Sequence, residues 1–347
     1  MKTSTFTTGD YVRWASIVAI GLALLSVPVF SVGSGTEFTA DILIYAIMAV
    51  GLYVQIALLG LVNFGFAAFF GLGGYIGANL LTHFSTGILT SMVLTTLAVA
   101  LVALVFGAMV LRTTGTAFTM ITLTFSQLLY VLAVAGDRWT NGVNGITGVP
   151  RPRLPSPLEG LGLNLSSDGS FYYLVLLAFG AVVAFVWVLQ RSKLGSVFTG
   201  IRENEERMVV LGYRVYAYKL AGFVISGAIG GFAGYLNAAL FGFVGPSALF
   251  WTTSGEALLM VILGGTASLA GPILGAGIFI GVSHYAVSFT EHWRLFVGLT
   301  FIAIVLFAPN GLVKILRDRL PMLRLRRPVA QKAAPPKGLE ATTGPRV

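Results

Sequence analysis

The sequence predicts an all-α integral membrane protein, a polytopic bundle of about eight to ten transmembrane segments, some of them broken or re-entrant. Three observations carry this expectation. Hydrophobic residues make up 56% of the 347 residues and charged residues 10%, against roughly 25% charged in an average soluble domain. Apolar runs long enough to cross about 30 Å of hydrocarbon recur from one end of the chain to the other. The basic residues collect in loops that would share one side of a membrane.

Ten apolar segments can be read, at about 14–32, 40–60, 61–81, 88–111, 117–135, 171–190, 218–242, 254–266, 271–288 and 294–311. Lys2 and Arg13 precede the first, and residues 31–33 (SVG) faintly resemble a signal cleavage site. The length of the run and its late Pro28 favour a retained first helix, leaving 1–13 as a short cytosolic segment. The second and third segments are almost continuous. The eighth is short and contains Glu256. Residues 14–312 thus read as one transmembrane domain.

With ten crossings and the amino terminus inside, the cytosolic side holds Lys2, Arg13, Arg112, six basic residues from Arg191 to Lys219 and nine from Lys314 to Arg346. Arg138, Arg151, Arg153 and Arg294 fall outside. The positive-inside rule predicts this asymmetry and places both termini in the cytosol. Residues 136–170 become an external loop, with the turn-prone run NGVNGITGVPRP at 141–152. Residues 313–347 carry nine basic residues against two acids and then turn Pro/Ala-rich, a solvated, partly disordered tail beside anionic lipid headgroups.

Residues 195–212, GSVFTGIRENEERMVVLG, are a compact charged segment ending in glycine. On a helical wheel Arg202, Glu203, Glu206 and Arg207 share one broad face, and Glu203 to Arg207 is an i,i+4 pair in the favourable order. The acids lie early, near the positive end of the helix dipole, Ile201 and Met208 lie opposite, and Gly212 is a natural stop. This reads as a short soluble helix at the membrane surface, suited to touching a cytosolic partner.

Much chemistry is missing. No GxxxxGK[ST] loop exists to hold ATP, and no paired carboxylates, catalytic triad or metal cluster appears. Cysteine is absent, and His83, His284 and His292 are scattered, so no metal and no cofactor is expected. The net charge of +9 sits in an apolar chain, where basic residues set topology and meet lipid rather than nucleic acid. Within the membrane the clear carboxylate is Glu256, with Asp41 near an edge, thin support for proton or sodium coupling. Glu256 reads equally as an interfacial acid or as part of a pathway.

Glycine is the remaining signal, at 43 residues. Clusters at 60–77 and 264–277 fit close helix packing, the plain explanation. The sharper reading is a broken helix at GGTASLAGP, where Gly264, Gly265, Thr266, Ser268, Gly271 and Pro272 would line a watery pathway. Asn63 beside Gly65 is a weaker version of the same idea.

GLVNFGFAAFFGLGGYIGA (60–78), the NGVNGITGVPRP loop, IRENEERMVVLG followed by YKLAGFVISGAIGGFAG (218–234), SGEALLMVILGGTASLAGPILGA (254–276) and FAPNGL (307–312) occur in one order along the chain. This ordered set resembles the branched-chain amino-acid ABC transporter permeases of the LivM type. The resemblance implies a multi-pass subunit of a bacterial inner-membrane importer. Such a subunit pairs with a homologous permease, two cytosolic ABC ATPases and a periplasmic solute-binding protein. It also implies that 195–212 is the ATPase-coupling loop, with the role falling on Arg202, Glu203, Asn204, Glu205 and Gly212. The expected function is passage of branched-chain or other apolar amino acids, driven by ATP hydrolysed on partner subunits. The chain departs from the family pattern at Asn63, Phe66, Arg207, Met208 and Ala267. A permease for urea, short amides, aromatic acids or sugars is therefore the alternative. A stand-alone secondary transporter is less favoured, and a membrane enzyme is disfavoured by the missing catalytic groups.

Overall fold

Each apolar run from 40 to 288 folds as a helix in the computed structural model, which describes residues 34–83, 87–150 and 168–289 and positions 295, 298, 299 and 302. The segment expected at 14–32 lies outside the described residues, as do 1–13, residues 151–167 of the long loop, nearly all of 294–311 and the 313–347 tail. Helix α1 (Ser34–Tyr53) runs on through one π-helical turn, Val54–Leu58. After a break come α2 (Phe66–His83), α3 (Ile88–Val110) and α4 (Gly115–Ala135). Next are α5 (Asp168–Arg191), the short α6 (Lys193–Glu203) and α7 (Glu205–Val210), and the long α8 (Val215–Phe241). α9 (Trp251–Gly264) and α10 (Ala270–Phe289) form the last hairpin described. Among the described residues, six helices are long and apolar enough to cross a membrane.

α8 is the hub, packed on α1, α2 and α3, while α1 also meets α5 and α10. The peripheral helices show what solvent they expect. α3 buries Ile88, Ser91, Thr95, Val99, Ala103, Gly107 and Val110, a stripe spaced by three and four. Its opposite face exposes Leu97, Leu101, Val105 and Met109. A helix apolar on both its buried and its exposed face belongs in lipid.

The glycine clusters are explained mainly by contact between backbones. A Cβ on Gly73 would overlap the Gly231 carbonyl, and one on Gly234 the Phe70 carbonyl, so α2 and α8 touch along their main chains. Beside this seam Phe69 meets Phe223 edge-on at 5.5 Å, and Phe106 stacks on Phe125 at 3.7 Å.

Two ends of the bundle follow from the contacts. At one, Asn79 donates to the Trp139 carbonyl, and strand β1 (Ile146–Thr147) pairs antiparallel with β2 (Phe243–Val244). At the other, Tyr216 donates to the Ala108 carbonyl, and α6 sits against the end of the π turn. The loops alternate between these ends as the hydropathy pattern predicts for the second to seventh segments.

Three local expectations change. The eighth segment is a 14-residue helix, about 21 Å long and too short to cross alone. Residues 264–272 are not a helix broken in its middle: α9 ends at Gly264, Gly265 adopts φ +92°, and α10 starts at Ala270. Pro272 therefore lies in a first turn, where its missing N–H costs nothing. The 195–212 segment is two helices, because Asn204 (φ −160°, ψ 101°) is extended and separates Glu203 from Arg207.

Candidate functional site

The charged segment is built as a capped helical pair. Ser192 accepts from the Gly195 amide at 3.2 Å and starts α6. Asn204 closes α6 and starts α7, its Oδ1 accepting from the Arg207 amide at 2.8 Å. Glu205 and Glu206 occupy the first turn of α7, where acids are favoured by the helix dipole. Gly212, at φ +84°, ends α7: its amide reaches the Val209 carbonyl and the Tyr213 amide reaches that of Met208. This pair of hydrogen bonds is the Schellman arrangement, which wants glycine at that position.

Beneath the pair, Ile201, Met208 and Val215 form a small buried cluster, with Met208 filling the hollow over Gly200. On the outside, Glu203, Glu205, Glu206 and Arg207 are exposed beside Val209, Val210 and Leu211, with Val210 86% exposed. A groove of about 530 Å³ adjoins them, lined by Leu194, Val197, Met208, Leu211, Tyr213 and Tyr218 among others. An apolar ridge flanked by acids has the character of a contact surface.

Two residues of the segment, Glu205 and Arg202, stay exposed but also reach partners on other helices. Glu205 accepts from Lys219, which is only 8% exposed on α8. The Arg202 guanidinium donates to the Ala57 carbonyl in the π turn that ends α1.

A second polar group lies inside the bundle, where α2 starts. The Phe66 ring packs on Gly51, about two turns before the end of α1, so α2 begins within the bundle. Asn63 is fully buried, and its Oδ1 accepts from the Gly65 amide at 2.7 Å. The Ala67 amide donates to the buried Ser254 hydroxyl at 2.7 Å. A Cβ on Gly65 would strike the Thr122 carbonyl of α4, and Ser126 donates to the Leu249 carbonyl at 2.6 Å. Glu256 follows two residues beyond Ser254, on α9, which packs on α1.

The predicted residues therefore fall into three places. Arg202, Glu203, Asn204, Glu205 and Gly212 share the α6–α7 pair. Asn63 and Gly65 lie just before Ala67, whose amide meets Ser254 at the start of α9, close in sequence to Glu256. Gly264, Gly265, Thr266, Ser268, Gly271 and Pro272 make the α9–α10 turn, where a Cβ on Gly264 would overlap the Gly271 carbonyl. Within that turn Thr266 is exposed, while the Ser268 hydroxyl is buried without a protein partner. Sequence reasoning missed Ser254, Ser126 and Thr122, because lone hydroxyls in apolar helices carry no spacing signal. Lys219 was counted only among the cytosolic basic residues, and the fold supplies its partner.

The family model for the branched-chain amino acid transport system permease component matches residues 36–305. The chain is 30% identical over 311 residues to the high-affinity branched-chain amino acid transport system permease protein LivM of Escherichia coli K12, covering 84% of this chain and 73% of that protein. Against LivM of Salmonella typhimurium LT2 it is 31% identical over 322 residues, covering 87% and 76%. No solved structure matches. With the match spanning the helices, the polar group at the start of α2 and the charged helical pair, the chain belongs to the branched-chain amino acid transport permease family.

Proposed function

We propose that this chain is a permease subunit that carries branched-chain amino acids inward across a bacterial inner membrane. It works beside a homologous permease, two ATPases that dock on α6–α7, and a periplasmic binding protein. The observation that carries this reading is the α6–α7 pair, an exposed apolar and acidic surface at one end of a lipid-facing bundle of this family. In this reading α6–α7 and both termini face the cytosol, and the β1–β2 ribbon faces the binding protein. The chain itself is not an enzyme: its sequence has no GxxxxGK[ST] loop, so the energy comes from the partners.

Passage would follow the bundle interior near Asn63, Gly65, Ser254 and Glu256, with the α9–α10 turn at 264–272 beside it. The few polar groups there would meet the charged ends of an amino acid, and the apolar side chain would meet the surrounding phenylalanine and aliphatic groups. Selectivity would rest mainly on the binding protein. The test is uptake by proteoliposomes holding the whole complex with its binding protein. ATP-dependent uptake of radiolabelled leucine, isoleucine and valine is expected. Uptake of urea or a sugar with none of leucine would overturn the substrate, and gradient-driven uptake without ATPases would overturn the importer.

A further inference from the structure

Helix α1 ends in an unusual way. Its last turn, Val54–Leu58, is π-helical, a form that appears mostly as single turns at functional positions. The final carbonyls of any helix lack partners within the helix and carry its negative dipole end. Here the chain leaves through Gly60 at φ +72°, with the Leu61 amide folded back onto the Gln55 carbonyl at 2.9 Å. The Ala57 carbonyl takes its hydrogen bond from Arg202, 145 residues away. A cation thus caps a helix end it does not belong to.

The contact extends along the stem of the arginine. A Cβ placed on Gly60 would lie 3.0 Å from Arg202 Cγ and 3.7 Å from its Cβ, so the side chain runs directly over the glycine. Helix α1 also packs on α5, the helix that leads into α6. The end of α1 is therefore held by α6. From Gly60, three residues of chain lead to Asn63, which holds the Gly65 amide, and Ala67 then bonds Ser254 of α9.

We propose that Arg202 is a transmission residue: a positioning group through which movement of α6–α7 is delivered to the α1–α2 junction. Although Arg202 is exposed, it would act through its hydrogen bond to the Ala57 carbonyl rather than by touching the ATPase. This rests on the reading of α6–α7 as the ATPase-docking element, and it divides that element by role. Val210, Glu206 and their exposed neighbours meet the partner, and Arg202 carries the displacement into the bundle. The bonds at Asn63 and Ser254 then receive it.

The test uses the complete transporter, with permease partner, ATPases and binding protein, reconstituted and assayed with radiolabelled leucine. Arg202→Ala should still co-purify with the ATPases while uptake and binding-protein-stimulated ATP hydrolysis fall by about tenfold, the effect of losing one hydrogen bond from a charged group. Arg202→Lys, which keeps the charge but not the fork, should recover part of the loss. Val210→Glu, on the exposed ridge, should instead release the ATPases.

A covalent replacement keeps the test decisive if Arg202→Ala fails to fold or insert. The chain has no cysteine of its own. The 3.7 Å Cβ separation falls within the disulfide range of about 3.5–4.5 Å, so Gly60→Cys with Arg202→Cys should cross-link on oxidation. Oxidised double-cysteine protein should transport several-fold faster than the same protein reduced, with Gly60→Cys alone measuring the strain at φ +72°. Release of the ATPases by Arg202→Ala, undiminished uptake by it, or no gain on cross-linking would each overturn the proposal. Failure of the importer reading looks different: the wild-type complex would itself hold no ATPase and take up no leucine.

Discussion

Ser254→Ala isolates one atom of the polar group at the start of α2. The Ser254 hydroxyl accepts from the Ala67 amide at 2.7 Å, and both residues are fully buried. Ala67 is the second residue of α2, so its amide has no carbonyl four residues back within the helix and depends on this side chain from α9. Alanine removes the acceptor and leaves the amide in a site closed to water. Losing such a cap costs about 0.5–2 kcal/mol, and an orphaned buried donor about 1–3 kcal/mol. We expect about 1–2 kcal/mol, which multiplies local opening by roughly fivefold to thirtyfold. Hydrogen exchange read by mass spectrometry on peptides covering 60–72 should show this acceleration in the intact complex. Peptides from the first half of α5, which packs mainly on α1, should be unchanged. Asn63→Ala, which strips the acceptor from the Gly65 amide, should accelerate the same peptide by a similar factor. Wild-type exchange in both variants would refute the reasoning, because it would mean that these amides are satisfied some other way.

Gly212→Val should lower binding-protein-stimulated ATP hydrolysis and loosen α7, because a β-branched residue at φ +84° is strained by about 1–2 kcal/mol. Thermal melting of the complex and an ATPase assay read both effects. Gly265→Leu should block leucine uptake for the same reason at φ +92°, and it should also weaken the α9–α10 hairpin. Glu205→Gln should disturb coupling more than Glu206→Gln, since both acids are exposed but Glu205 pairs with the buried Lys219; paired uptake assays compare the two. For orientation, single cysteines belong at Val143, 75% exposed, and at Glu206. An impermeant reagent on intact spheroplasts should label the first and spare the second, and the reverse would invert the topology.

The helices were readable because hydropathy is a property of the chain alone. Each run from 40 to 288 became a helix, and the turn-prone 141–152 stretch became a tight loop in its described part, with Gly142, Gly145 and Gly148 at positive φ. What hydropathy does not encode is depth. Residues 60–65 read as a near-continuous join between two segments, yet α2 starts about two turns inside the bundle. That placement depends on Gly51 admitting the Phe66 ring and on Asn63 and Ser254 holding amides that no carbonyl reaches. The glycines at 264–277 show the opposite limit. The sequence GGTASLAGP suggested a break, but a Cβ on Gly264 would meet the Gly271 carbonyl and one on Gly275 the Met260 carbonyl, so close packing of α9 on α10 explains these glycines, and Gly265 serves the turn.

The charged segment divides along the same line. Its caps were local and therefore legible: Gly212 stops a helix, and early acids favour the start of one. The helical wheel failed at Asn204, whose side chain competes with the backbone for the Arg207 amide and ends one helix as it begins the next. Once the helix is split there, Glu203 and Arg207 no longer share a face by periodicity. Which charges look outward is then decided by contacts across the fold rather than by spacing. Glu205 is claimed by Lys219 and Arg202 by the end of α1, both through partners remote in sequence. Charge in an apolar protein is expensive to leave without a partner, so a long basic side chain at the rim of the bundle reaches for the nearest unsatisfied acceptor. At the end of α1 that acceptor is a helix carbonyl, and the only sequence trace of it is the glycine that lets the arginine pass.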